Sequence, residues 1–160
     1  RHSLREFFYN PRMRWWEVAD RYSCFLPIRI QYSSEEGTGY ITDISKSGFF
    51  VYSSMKLEEN SEFRFESTQI PSARVSKICS TGEVVRYFFE PGINMLGYGV
   101  RITRPNLTVK QNLIRLINHL RKHGLKDRYK EPISEIRKKI ETCESTLRDS
   151  LGSSEITQAS

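Results

Sequence analysis

TDISKSGFFV, residues 42–51, places turn-forming side chains between two segments of alternating apolar and polar residues. The segment GYITDI runs into this stretch and GFFVYS leaves it, and both have the period of two that is typical of β-strands. Asp43 and Ser45 have short side chains that cap backbone amides, and Gly48 tolerates a positive φ. The stretch therefore predicts a β-hairpin in which these three residues form the connection.

The alternating pattern extends over the middle of the chain. It starts at FLPIRIQY, residues 25–32, and ends at GYGVRIT, residues 97–103, with no helical period between them. We predict a mainly β fold, a closed antiparallel barrel of six to seven strands, because closure removes the strand edges that an open sheet would expose. The other predicted strands are EFRFES (62–67), ARVSKI (73–78) and EVVRYFFE (83–90), the last two joined across Ser80, Thr81 and Gly82.

Two helices are predicted after Pro105, where the period becomes helical. An apolar stripe on the first helix ends before Gly124, a common helix stop. The second helix is predicted from Glu131 or Pro132 to Leu151, with an apolar seam that could fold back on the barrel or pair with another chain. The stripe is Val109, Leu113, Leu116, Ile117 and Leu120, and the seam is Ile133, Ile136, Ile140, Cys143 and Leu147.

The chain divides by composition into four parts. The first combines five arginines with aromatic side chains and suits an arm that packs and also meets an anion. Asn10 followed by Pro11 favours a short helix there, toward Arg21. The small and polar end of the chain is expected to be disordered. The parts are the N-terminal arm (1–24), the barrel with its first helix (25–124), a helical extension (125–151) and the tail (152–160).

The composition suits one folded unit with an anionic partner. With 160 residues, of which 38% are hydrophobic, the chain can bury one core. A net charge of +6 favours a nucleotide, a nucleic acid or an acidic protein face. We expect no membrane insertion, because no stretch approaches the roughly 20 apolar residues of a spanning helix. The three cysteines have no paired spacing, which favours a reducing cytoplasm over a disulfide framework.

No residue pattern predicts catalysis or a metal site. The sequence shows no Cys-His, Ser-His-Asp or paired-carboxylate arrangement, so we expect a protein that is not an enzyme and uses no cofactor. His119 and His123 are four residues apart on a predicted helix, a spacing that two metal ligands can use. Neither a carboxylate nor a cysteine accompanies them at a matching position, and we interpret both as exposed side chains.

The order of these segments resembles the PilZ family over about residues 25–123. The resemblance rests on LPIRI in the first strand, Asp43, Ser45 and Gly48 as D-x-S-x-x-G, GFFV directly after the glycine, then GEVVRY, GYGVRIT and a helix. It implies a barrel that binds cyclic di-GMP on its outer face, usually as an intercalated dimer. It also implies that the D-x-S-x-x-G residues contact a guanine and the neighbouring phosphate and ribose.

The chemistry of these residue types suits such a ligand. A carboxylate at Asp43 can accept hydrogen bonds from the N1 and N2 hydrogens of guanine, and the Ser45 hydroxyl can donate or accept beside it. Gly48 allows the backbone to approach closely. The two phosphates and the O6/N7 edges of the guanines call for arginines, which bond to both bidentately and also stack on purines.

The resemblance also implies an R-x-x-x-R motif upstream, which this chain supplies ambiguously. Arg21 lies six residues before Pro27, as the second arginine of the motif does, but Glu17 occupies the place of the first. Arg1 and Arg5, in RHSLR, have the motif's spacing much further upstream. Alternatively, the arm arginines only cover apolar surface with their stems. The candidates for ligand contact are Arg1, Arg5 and Arg21, with Arg12 and Arg14 as further alternatives.

The sequence thus predicts an effector that binds cyclic di-GMP and relays it to a protein partner by ordering its arm. The alternative is a degenerate adaptor that has lost the messenger site at Glu17 and acts through protein contacts or self-association at the second helix. Binding of single-stranded nucleic acid is a weaker interpretation, because the aromatic and basic residues gather in the arm and not at regular strand positions.

Overall fold

The computed structural model describes residues 20–123 and 131–159, and the middle of the chain forms a closed antiparallel barrel. The strands are β1 (Tyr22–Tyr32), β2 (Glu35–Ile44), β3 (Gly48–Ser53), β4 (Glu62–Ser67), β5 (Cys79–Glu90) and β6 (Met95–Thr103). Their order around the barrel is β1-β2-β3-β6-β5-β4, and β4 closes the barrel by pairing with β1. The predicted barrel of six to seven strands is confirmed, with six.

The barrel interior is filled by alternate side chains of every strand. Ile30, Val51, Val84 and Val100 are fully buried there, as the period of two requires. Tyr98 is fully buried as well, and its hydroxyl donates to the Met55 carbonyl oxygen at 2.7 Å and accepts from the Leu57 N–H at 3.0 Å. These two bonds satisfy the only polar atom that this side chain brings into the core.

Helix α1 (Leu107–His123) closes the core from one side. It begins at Asn106, whose side-chain oxygen accepts a hydrogen bond from the Val109 N–H at 2.8 Å, as an N-cap residue does. The predicted apolar stripe is confirmed, since Val109, Leu113 and Leu116 are buried in the same cluster as the barrel interior. The barrel and α1 therefore share one hydrophobic core.

Helix α2 (Ile133–Ala159) packs on the outer face of the barrel. Its residues Ile136 and Ile140 are buried in a second apolar cluster with the outward-facing side chains Tyr40, Phe50 and Tyr52. The apolar seam therefore folds back on the barrel, one of the two arrangements that the sequence allowed. We call this group the outer cluster; it also contains Ile93.

The segment ARVSKI is not a strand, so this part of the prediction is wrong. Ala73 belongs to a 3-10 turn, and Val75 makes only an isolated bridge with Ile70. The expected turn at residues 80–82 lies inside β5 instead, where it pairs with β4 on one side and β6 on the other. Gly82 serves close packing there, because a Cβ on it would lie 2.5 Å from a methyl group of Val100.

The two ends of the chain relate differently to the predictions. The helix expected between Pro11 and Arg21 falls mostly on residues 1–19, outside the described residues. At the other end α2 continues to Ala159, so residues 152–159 are helical and not a disordered tail. Extending a formed helix adds one hydrogen bond for each residue fixed, which is less costly than starting one. No described helix has the length and apolar character needed to cross a lipid bilayer.

Because α2 packs on the barrel, we predict that Ile140→Ala strongly lowers the stability of the protein. Ile140 is 2% exposed, and truncating it should lower the free energy of unfolding by about 2–5 kcal/mol because a cavity remains. The matched control is Ile114→Ala on α1, where the side chain is 51% exposed and the expected change is about 0.5 kcal/mol or less. Urea unfolding measures both variants, and equal effects would contradict the packing of α2 on the barrel.

Candidate functional site

The connection between β2 and β3 is organised by the Ser45 hydroxyl. This oxygen donates to the Gly48 carbonyl oxygen at 3.2 Å and accepts from the backbone N–H groups of Ser47 at 3.3 Å and Gly48 at 3.2 Å. The Ser45 N–H also donates to the Gly48 carbonyl oxygen, at 2.8 Å. Ser45 is 1% exposed, so its hydroxyl is engaged in holding the turn.

Gly48 does not have the positive φ expected from the sequence. None of the described glycines has a positive φ, and Gly48 is already the first residue of β3, opposite Arg101. The hydrogen bonds of Ser45 turn the chain before Gly48 is reached. The expectation was wrong because a serine side chain stabilises the turn where a glycine in the left-handed region was predicted.

Asp43 reaches the outer face of the barrel through a β-bulge. The pairing between β2 and β3 passes from Ile41 opposite Val51 to Asp43 opposite Phe50, so Thr42 is an additional residue in β2. In a regular strand Asp43 would face the interior with Ile41. The bulge reverses this orientation and places Asp43 beside Phe50 of the outer cluster.

Arg21, the residue directly before β1, lies beside Asp43. Its guanidinium nitrogen Nη1 is 3.7 Å from the Asp43 carboxylate oxygen Oδ1. The pairing of Ser23 in β1 with Asp43 in β2 brings the two side chains together. Both are largely shielded from water, with side-chain exposures of 17% for Arg21 and 11% for Asp43, so their interaction is screened less than that of a surface pair.

A cavity of about 330 Å³ lies next to this pair, between the outer face of the barrel and the beginning of α2. Arg86 and Phe88 of β5 form its far wall. Neither residue was predicted from the sequence to belong to the site. The remaining lining residues are Arg21, Ser23, Thr42, Asp43, Phe50, Tyr52, Glu131, Ile133 and Ile136.

Arg86 is turned outward by a second bulge. The pairing of β5 with β6 passes from Val84 opposite Val100 to Arg86 opposite Gly99, which leaves Val85 as the additional residue. Since Val84 is in the interior, a regular strand would direct Arg86 inward as well. The run EVVRYFFE contained no signal for this bulge, because it is visible only in the pairing with β6.

The charges around the cavity are of both signs. Asp43 is flanked by Arg21, and the Glu131 carboxylate is neutralised by the Lys139 ammonium group at 2.6 Å. Burial, with the nearby charges of Glu90 and Asp43, raises the pKa of Tyr52 to about 12. Tyr52 therefore remains a neutral phenol at physiological pH and adds no charge to the cavity.

The described structure brings some of the predicted site residues together, and the others lie outside it. Arg21 and Asp43 are in contact, and Ser45 and Gly48 form the adjoining turn. Arg1 and Arg5 lie outside the described residues, as do Arg12, Arg14 and Glu17. In residues 20–123 and 131–159, no three His, Cys, Asp or Glu side chains are grouped as metal ligands would be.

Comparisons with known proteins agree with this architecture. The model of the PilZ domain family matches residues 12–119, whereas no curated protein sequence matches the chain. Among solved structures, the inhibitor of motility MotI (DgrA) of Bacillus subtilis is 19% identical with a TM-score of 0.55, over 66% of this chain and 50% of that one. The PilZ domain of YcgR from Escherichia coli, solved with c-di-GMP, is 15% identical with a TM-score of 0.52, over 64% and 89%.

A third structure, MrkH of K. pneumonia, is 12% identical with a TM-score of 0.55, over 69% of this chain and 51% of that one. The match thus spans only about half the length of MotI and MrkH. At these identities the likeness is one of fold.

The turn geometry predicts different effects for two neighbouring serines. Ser45→Ala removes the acceptor of two backbone N–H groups and should lower the free energy of unfolding by about 1–3 kcal/mol. Ser47→Ala is the matched control, because its buried hydroxyl has no hydrogen-bond partner among the described residues. We expect Ser47→Ala to be neutral or slightly stabilising in urea unfolding. If Ser47→Ala lowers the free energy of unfolding as much as Ser45→Ala does, the hydrogen bonds of Ser45 are not what stabilises the turn.

Proposed function

The chain belongs to the PilZ family, and from this membership we propose that it is a cytoplasmic receptor for cyclic di-GMP and not an enzyme. The observation that carries the proposal is the Arg21–Asp43 pair, 3.7 Å apart at the rim of the outer-face cavity. The PilZ domain of YcgR, which shares the fold, was solved with the same nucleotide. The free thiols of Cys24, Cys79 and Cys143 fit a reducing compartment.

The proposed contacts follow from the chemistry of the two side chains. Asp43 accepts hydrogen bonds from the N1 and N2 hydrogens of one guanine, the edge of that base that offers donors. Arg21 donates to a phosphate oxygen of the same nucleotide, and its low exposure strengthens the charge-assisted bond. Ser45 and Gly48 support these contacts by holding the turn that follows Asp43.

The proposed output depends on the position of Arg21. Arg21 is the last arginine of the arm and directly precedes β1, so a ligand bound at Arg21 lies at the base of the arm. Arg1 and Arg5 then supply further contacts to the nucleotide and draw the arm against the barrel. A partner protein that recognises the arm in this arrangement would receive the signal, because the ligand favours one conformation over others.

The proposal predicts saturable binding of cyclic di-GMP that depends on Arg21 and Asp43. Each of Arg21→Ala and Asp43→Asn should lower the affinity about 30-fold or more, because removing one partner of a shielded charge contact costs about 2–5 kcal/mol. Isothermal titration calorimetry measures both. The matched controls are Arg104→Ala and Glu62→Gln, an exposed ion pair at 3.0 Å whose members do not line the cavity.

No heat and no saturable signal with the wild-type protein at tens of micromolar nucleotide would refute the proposal. The adaptor function would then be the better interpretation, and it is Glu17 that favours it, since a carboxylate there repels phosphate. Glu17→Arg tests this directly. If binding appears only in Glu17→Arg, the natural chain is a degenerate member that acts through protein contacts.

The proposed movement of the arm predicts a change in protease sensitivity. Saturating cyclic di-GMP should slow trypsin cleavage after Arg1, Arg5, Arg12 and Arg14, because a bound backbone is a poorer substrate than a free one. Mass spectrometry of timed digests measures the rates. The Arg21→Ala variant is the control and should show no effect of the nucleotide. An unchanged rate in the wild-type protein with bound nucleotide would contradict the relay.

A further inference from the structure

A row of outward-facing residues crosses four neighbouring strands at the level of Asp43. Asp43 in β2 is opposite Phe50 in β3, Phe50 is opposite Gly99 in β6, and Gly99 is opposite Arg86 in β5. Neighbouring strands are about 4.8 Å apart, so the row spans roughly 14 Å from Asp43 to Arg86. A carboxylate and a guanidinium group therefore lie at opposite ends of one continuous surface.

Gly99 provides the space in which the Arg86 side chain lies. A Cβ on Gly99 would be only 3.0 Å from Cγ and from Nε of Arg86. The Arg86 stem therefore crosses the backbone of β6, and Arg86 is one of the residues that line the cavity. Arg86 is exposed and makes no ion pair with another described residue, so its donors are available to a ligand.

Phe88 supplies an aromatic surface beside Arg86. Its ring stacks on Phe50 with the centroids 5.4 Å apart and the planes 23° from parallel. Phe88 is nevertheless 42% exposed, which leaves ring surface that Phe50 does not cover. An aromatic ring beside a guanidinium group is the combination that holds a purine by stacking and by hydrogen bonds to its edge.

We propose that Arg86 and Phe88 form a purine subsite that receives the second guanine of cyclic di-GMP. The inference rests on the proposed function, in which Asp43 and Arg21 hold the first guanine and a phosphate. Arg86 donates two hydrogen bonds to O6 and N7 of the second guanine, and Phe88 stacks on its face. Arg86 and Phe88 line the same cavity as Arg21 and Asp43, with a volume of about 330 Å³, which is at the small end of ligand sites.

The subsite selects guanine over adenine. Guanine presents two acceptors, O6 and N7, to the guanidinium group, whereas adenine presents the N6 amino group as a donor in place of O6. Cyclic di-AMP has the same phosphates and ribose rings and so differs from cyclic di-GMP only in its bases. The ratio of the two affinities therefore reports on contacts to the base edges and not on contacts to phosphate.

The experiment compares Arg86→Ala and Arg86→Lys by calorimetry with cyclic di-GMP and cyclic di-AMP. Arg86→Ala should lower the affinity for cyclic di-GMP roughly 10-fold or more, and it should lower the preference for cyclic di-GMP over cyclic di-AMP by a similar factor. Arg86→Lys keeps the charge but loses the planar fork, and it should behave like Arg86→Ala. If Arg86→Lys has the same ratio of the two affinities as the wild type, Arg86 contacts a phosphate and does not recognise the base, and the proposal is refuted.

The stacking contact is tested by Phe88→Ala, with Phe89→Ala as the matched control. Phe89 is the next residue, is 54% exposed and does not line the cavity. Phe88→Ala should lower the affinity for cyclic di-GMP roughly 10-fold, and Phe89→Ala should leave this affinity unchanged. Gly99→Ala should also reduce affinity, because its Cβ displaces the Arg86 side chain.

The failure of the subsite can be distinguished from the failure of the receptor. If the wild-type protein binds and Arg21→Ala abolishes binding, but Arg86→Ala and Phe88→Ala bind as the wild type does, only the subsite is refuted. If the wild-type protein does not bind, the proposed function itself is refuted. Urea unfolding of each variant confirms that a loss of affinity does not come from a loss of folded protein.

Discussion

The alternation of side chains along a closed strand is the constraint on which this structure depends, because each residue faces either the interior or the outer face. Apolar side chains from all six strands occupy the interior. Two bulges, at Thr42 and Val85, change which face the next residue occupies. As a result Asp43 and Arg86 point away from the apolar interior, where a lone charge would be costly. The site thus exists because both strands are irregular at this level.

The outer face of the barrel carries several aromatic side chains, and α2 determines how much of this face meets water. Tyr40, Phe50 and Tyr52 would be exposed on an isolated barrel, but Ile136 and Ile140 of α2 cover them. The cover is incomplete, since the cavity lies where the helix begins. One helix therefore both stabilises the outer face and forms a wall of the candidate site.

The sequence was most informative where local periodicity and local hydrogen bonding decide the structure. The apolar stripe of α1 and the hairpin around residues 42–51 were predicted because residues three or four apart, or two apart, share one face. The prediction of a strand at ARVSKI was wrong, because alternating apolar and polar residues do not show whether a segment pairs with a neighbouring strand. Gly48 was misjudged because the hydrogen bonds of Ser45 make a positive φ unnecessary.

The sequence alone determined the barrel and its two helices, since these follow from patterns within a few residues, and its resemblance to a family motif made Asp43, Ser45 and Arg21 candidate site residues. Only the tertiary structure placed Arg86 and Phe88 on the same cavity as Asp43. The physical reason is that a bulge is defined by the register between two paired strands. The bulge in β2 is visible only in its pairing with β3, and the bulge in β5 only in its pairing with β6. Which charges share a surface is therefore decided by strand pairing and not by spacing along the chain.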